Sequence, residues 1–420
     1  MAGRDAGAPR RGGQLARRLS TFDAVVIGLA SMIGAGVFAA IGPAAAAAGS
    51  GLLVGLALAA GVAYCNATSS AQLAALYPTS GGTYLYGRER LGPLWGFLAG
   101  WSFVTGKTAS LAAMALTFGT YAAPSYARPL AAVAVVALTA VNYRGIHKTA
   151  VLTRAIVALV LGALATAVVA VLFGGQVDAG RLVPLDAGGA RGLLRSAGLL
   201  FFAFAGYSRI ATLGEEVRDP DRTIPRAIPL ALAIALGIYL AVAVSALLAL
   251  GPERLSQEPA PLSAAAAAGR LAQLAPAVRI GGTVAALGVL ISLLAGVSRT
   301  TLAMARNGDL PRWLDKVHPR FEIPHRAELA AGALVLALVL TVDLRGAIGF
   351  SSVLVLAYYT ITNAAAWTLA PSDRRWPRAL AALGMAGCPL LALSLPPTTV
   401  LAGAGVLAAG ALIWLVWLRR

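Results

Sequence analysis

Apolar runs of membrane-crossing length follow one another from residue 22 to residue 418, and that succession leaves this chain one natural environment. A helix needs about 20 mainly apolar residues to cross the hydrocarbon of a bilayer. Runs of that order recur at roughly 22–48, 51–76, 93–121, 127–143, 149–173, 192–217, 227–250, 276–304, 328–343, 347–370, 378–394 and 398–418. With 58% hydrophobic and only 12% charged residues, the chain reads as an all-α polytopic membrane protein with about twelve transmembrane helices.

The net charge of +17 suggests nucleic acid until its distribution is followed. Placing the N-terminus inside assigns 24 of the 34 Lys and Arg residues to cytoplasmic segments and 8 to outer loops. This is the positive-inside pattern, so no nucleic-acid partner is expected and both termini are expected in the cytoplasm. Arg10, Arg11, Arg17 and Arg18 precede a run too long and too glycine-broken for a cleaved signal peptide. Residues 1–20 read as a disordered cytoplasmic tail. Cys65 and Cys388 lie in apolar stretches and suggest no disulfide framework.

Enzyme chemistry has no foothold in the pattern. His147, His318 and His325 all fall in cytoplasmic loops, no H-E-x-x-H occurs, and no Asp or Glu falls in the middle of a run. Neither a metal nor a cofactor is expected. With no Walker A sequence, an ATP-driven pump is excluded for this chain alone.

What stands out is Ile33-Gly34-Ala35-Gly36-Val37, at the centre of the first run. Glycine permits a break in the helix, and hydrocarbon offers freed backbone groups no partner, so such a break survives only against protein or a water-filled cavity. A second interruption, Phe201-Phe202-Ala203-Phe204-Ala205-Gly206-Tyr207, lies in the sixth run. Four complete runs separate the two, which places them at equivalent positions of two five-span units. Five is odd, so the second unit is inverted, and paired broken helices in inverted repeats point to a binding site at the bilayer midplane.

Three stretches resemble the amino acid–polyamine–organocation transporters over roughly residues 20–370. Phe22-Asp23-Ala24-Val25-Val26-Ile27-Gly28 with Met32-Ile33-Gly34-Ala35-Gly36-Val37-Phe38 is similar to the family's first helix. Tyr77-Pro78-Thr79-Ser80-Gly81-Gly82-Thr83-Tyr84 is similar to its second-to-third-helix loop. Phe201–Gly206 with Glu215-Glu216-Val217-Arg218-Asp219-Pro220 and Ile224-Pro225-Arg226-Ala227 is similar to its sixth helix and exit. The resemblance implies a LeuT-type 5+5 inverted repeat with broken helices 1 and 6, and alternating-access transport of an amino acid or related amine. The transporter core would span 21–370, as repeats of about 21–173 and 192–370, with two additional C-terminal helices in 371–420.

In such a site the substrate carboxylate would meet N–H groups at Gly34, Ala35 and Gly36, beside Val37, at the positive end of a half-helix. The ammonium would meet carbonyls near Ile33 and across Phe204, Ala205 and Gly206. Phe204 or Tyr207 would close over the ligand. Lys107 lies about 20 Å from either end of its run at 1.5 Å per residue, too deep to snorkel, and an ionisable residue there is by default functional. Two roles compete: carrying a coupling proton, or setting selectivity against cationic side chains. In the resembled family this position faces the substrate side-chain pocket. Some proton-coupled members place a lysine in the fifth helix, but the matching position here is about Val160.

Arg209, Glu215 and Glu216 are candidates for an inner gate, while Arg154 is expected to snorkel. Ser208 is neutral where some cation-handling relatives carry a carboxylate. Ser292, Ser298, Thr300 and Thr301 would either back-bond to their own helix or line an ion site. The inner segment Asn307–Leu314 suggests a cytoplasmic half-helix. The leading expectation is therefore a multi-pass transporter of the cytoplasmic membrane for neutral or anionic L-amino acids, by proton-coupled symport or exchange. Alternatives are an antiporter for cationic amino acids or polyamines, and an amino acid sensor that transports nothing.

Overall fold

A computed structural model describes residues 19–77, 81–145, 150–211, 213 and 216–418. Each apolar run carries helix. The first is divided between α1 (Thr21–Met32) and α2 (Ala35–Ala48), and the second is α3 (Leu52–Leu76). A short α4 (Thr83–Leu91) precedes the third, α5 (Pro93–Ala122), followed by α6 (Ala127–Tyr143) and α7 (Ala150–Leu172). The sixth run holds α8 (Gly189–Phe204) and α9 (Ser208–Ala211). Beyond it come α10 (Pro220–Gln257), the short α11 (Pro261–Ala267), α12 (Ala275–Arg306), α13 (His325–Thr341), α14 (Leu344–Trp367), α15 (Arg378–Leu393) and α16 (Pro397–Ile413). Seven helical stretches are long and apolar enough to cross a bilayer, and α1 and α15 are shorter apolar helices. No strand occurs among the described residues, where the only β pairing is a parallel bridge between Leu19 and Val217.

The centre of the molecule is α5. Every residue from Gly106 to Thr117 is buried, which is the signature of a helix enclosed on all sides. It packs against α12 and α14, with α4 and α6 alongside, while α10 packs against α1, α2 and α3. The two broken helices touch both groups: α2 lies on α8 and α10 and also reaches α5.

Several boundaries differ from those read in the sequence. The sixth run stops being helical at Ala211 rather than near 217. The outer segment 251–275 is largely helical: α10 continues to Gln257 after a kink at Gly251 (φ 71°), and α11 follows. The half-helix expected at Asn307–Leu314 reduces to a single 3₁₀ turn, Arg312–Leu314. Gly308, at φ 79°, and Pro311 interrupt the backbone before it. Of the expected tail, only Leu19 and Ser20 are described, and both are tied down. Ser20 forms a capping box with Asp23 at the start of α1.

Candidate substrate site

The first break falls where the glycines place it. α1 ends at Met32, Ile33 and Gly34 are non-helical, and α2 begins at Ala35. Gly34 (φ −55°, ψ −156°) is the N-cap, and no side chain caps the helix it opens. The first four N–H groups of a helix have no intrahelical acceptor. Here those belong to Gly34, Ala35, Gly36 and Val37, and this end of the helix is buried: Ile33 and Val37 are each 2% exposed. A buried helix start without a side-chain cap is an anion-seeking group of donors.

The second break is a 3₁₀ turn, Ala205–Tyr207, between α8 and α9. It lies directly against the first. A methyl group on Gly206 would stand 2.7 Å from the Met32 nitrogen and collide with the Ser31 carbonyl, so only glycine lets these two backbones meet. Gly36 repeats the arrangement one turn on, where a Cβ would lie 2.8 Å from the Ala203 Cα. The sequence alone could place both breaks on the chain but not bring them into contact.

Four side chains hold carbonyls at the two breaks. The Tyr239 hydroxyl, from α10, lies 2.5 Å from the Met32 oxygen and 2.9 Å from the Ala203 oxygen, sharing its one proton between the two broken helices. Sequence reasoning missed it, although a signal existed: Tyr239 and Ser245 are the only hydroxyl-bearing residues between 227 and 250. The Lys107 Nζ donates to the Ala205 oxygen at 3.4 Å. Tyr359 of α14, also unforeseen, donates to the same oxygen at 3.4 Å, and Ser208 donates at 3.1 Å.

Aromatic rings enclose this polar centre. Phe204, fully buried, packs its ring 5.1 Å from that of Tyr239. Tyr207, also fully buried, lies 5.2 Å from Tyr359, which has Phe201 at 5.8 Å on another side. Ala205 is 4% exposed and Gly206 half-buried. Every candidate ligand residue with a described side chain therefore gathers around one centre made by α1, α2, α5, α8, α10 and α14.

The other candidates distribute differently. Arg209 is exposed on α9, with Glu216 and Arg299 as charged neighbours, but Glu216 is not within ion-pair distance. Glu215 lies outside the described residues, as do Pro78, Thr79 and Ser80 of the resembled loop. Arg154 does not simply snorkel. It pairs with Asp23 at 2.7 Å, joining α7 to α1, because the capping box holds that carboxylate within reach. Ser292, Ser298 and Thr300 each donate to the carbonyl four residues back, and Ser298 also donates to the buried Glu328 carboxylate. No group of metal-ligating side chains occurs among the described residues.

A main-chain tie closes the end of the sixth run onto the start of the first. The Leu19 N–H donates to the Glu216 oxygen at 3.0 Å, and the Arg218 N–H donates to the Leu19 oxygen at 2.9 Å. Below it, Tyr84 of α4 donates to the Asp309 carboxylate at 2.5 Å, and Arg88 reaches the same carboxylate at 3.3 Å. Burial first, and then that hydrogen bond, push the Tyr84 phenol up to about 12.

Comparison with known proteins gives one consistent result. A family model described as amino acid permease matches residues 19–418. An uncharacterized transporter of Mycobacterium tuberculosis is 62% identical, covering 94% of this chain and 90% of its own length. A methylthioribose transporter of Bacillus subtilis is 27% identical over 97% of this chain and 94% of its own. A branched-chain amino acid permease of the same organism is 26% identical over 90% and 86%.

Proposed function

The chain belongs to the amino acid permease family, and from that premise we propose that it is a secondary transporter that carries amino acids across the cytoplasmic membrane by alternating access. It is a multi-pass membrane protein and a transporter rather than an enzyme. In this reading both termini are cytoplasmic, twelve helices cross the bilayer, and residues 21–370 form a 5+5 inverted repeat followed by two further helices.

One observation carries the reading of the site: the buried start of α2, without a side-chain cap, packed backbone to backbone against the break of the sixth run. The N–H groups of Gly34, Ala35 and Gly36 bind the substrate carboxylate. Carbonyls near Ile33 and of Phe204 and Gly206 take its ammonium, the Ala205 oxygen already accepting from three side chains. These are the groups that every amino acid shares, so the breaks fix the substrate's backbone and leave its side chain to the surrounding helices. Tyr207 and Phe204, at the break of the sixth run, cover the ligand.

Lys107, beside the break, repels cationic side chains, which favours neutral or anionic amino acids over polyamines. Transport runs as proton-coupled symport or as exchange. Arg209, Glu215 and Glu216 stand at the cytoplasmic exit as inner-gate residues. The test is purified protein in liposomes, offered a mixture of labelled amino acids under a proton gradient and under trans-loading. Saturable uptake or exchange is expected. Saturable binding with no movement under any gradient would leave a sensor instead.

A further inference from the structure

Lys107 is a buried cation whose only hydrogen-bond acceptor among the described residues is a backbone carbonyl. Its residue is 7% exposed, and its Nζ donates to the Ala205 oxygen alone, at 3.4 Å. No described carboxylate lies within ion-pair distance of it; the described ion pairs all belong to arginines. A charge taken out of water needs a counter-charge close by, and this one has none among the described residues.

The local donor count points the same way. A carbonyl oxygen has two lone pairs, and a lysine ammonium has three N–H groups. Around the Ala205 oxygen stand the Lys107 ammonium, the Tyr359 hydroxyl at 3.4 Å and the Ser208 hydroxyl at 3.1 Å. Three side chains thus converge on one carbonyl oxygen, and the ammonium brings a positive charge with N–H groups for which no other described acceptor stands in reach. What completes it is an anion with several lone pairs, which a carboxylate provides.

Given the proposed reading of the breaks, on which this inference rests, the substrate's α-carboxylate is already taken by the N–H groups of α2. The second carboxylate must then belong to the substrate's side chain. We propose that Lys107 is the counter-ion for a side-chain carboxylate, and that this permease takes dicarboxylic, acidic amino acids. An amide of the same shape would leave the lysine unpaired, and a cationic side chain would add a second positive charge beside it.

Thermal-shift titration of the purified transporter tests this without any variant. L-Glutamate or L-aspartate is expected to stabilise the protein at concentrations about tenfold or more below those needed of L-glutamine or L-asparagine. In Lys107→Met, which keeps most of the length and loses the charge, the advantage of each acid over its amide should disappear. Amides or cationic amino acids that bind as well as the acids would overturn the acidic class while leaving the permease reading intact. A Lys107→Met protein that keeps the acid preference would remove Lys107 as its source. Absence of a shift with any amino acid would overturn both this inference and the proposed backbone cradle.

Discussion

The Tyr239 hydroxyl stands 2.5 Å from the carbonyl oxygen of Met32, the last helical residue before the first break. It is also 2.9 Å from that of Ala203, one residue before the end of α8. One phenol thus serves acceptors on two discontinuous helices from a third. At this depth the alternative partner is not water but nothing.

Tyr239→Phe keeps the ring against Phe204 and removes only the hydroxyl. Leaving a buried acceptor unsatisfied costs about 1–3 kcal/mol, so a lower melting temperature in detergent and weaker substrate binding are expected together. An unchanged melting temperature would mean that other donors reach both carbonyls.

Gly206→Ala should be damaging out of proportion to one methyl group. The added carbon would lie 2.7 Å from the Met32 nitrogen, a backbone atom that no rotamer change moves aside. Overpacking of this kind costs about 1–3 kcal/mol. Gly61→Ala is the control, since nothing lies within 4 Å of its Cβ position. If both variants melt alike, the close approach of the two breaks is not what the glycine is for.

The tie between Leu19 and Val217 can be made covalent. Paired strands lie about 4.8 Å apart, within the range a disulfide spans. Leu19→Cys combined with Val217→Cys should form an oxidised species whose uptake is lost and returns on reduction. Full uptake by the oxidised form would show that this end of the protein need not open.

Acid should loosen the segment between α12 and α13. The His318 Nδ1 accepts backbone N–H groups of Arg320 at 3.2 Å and Phe321 at 3.3 Å, and the His325 ring stands edge-on to it at 5.4 Å. Burial foremost, then His318 and Arg326, lower the His325 pKa from 6.5. The folded protein therefore binds fewer protons than the unfolded chain between those two values. The contribution is complete above about pH 6.5 and is lost as the pH falls through the lowered pKa. His325→Gln should flatten the decline in melting temperature below pH 6.5, and parallel curves for variant and parent would dismiss the histidine.

The parts of this architecture visible in the sequence are those set by local chemistry. Two glycines one residue apart in the middle of an apolar run, Gly34 and Gly36, predict the break at Ile33–Gly34, and a charge too deep to snorkel marks Lys107. The hidden parts depend on which helices become neighbours. Nothing near Tyr239 says that it meets Met32 and Ala203, which precede it in the chain by 207 and 36 residues. Arg154 has the right depth to snorkel, and only the fold supplies Asp23 as its partner. The half-helix expected at 307–314 is reduced to one turn for a local reason, since Gly308 at φ 79° and Pro311 both interrupt helical backbone.

The bridge at Leu19 has one more consequence. A seal made of peptide groups takes no instruction from ionic strength. Exposed ion pairs such as Arg154 with Asp23 are weakened by salt. The amide hydrogen bonds on either side of Val217 carry no net charge to screen. Nor do they depend on which side chains residues 19 and 217 carry. This edge of the molecule is therefore buffered against both the salt around it and drift in its own sequence.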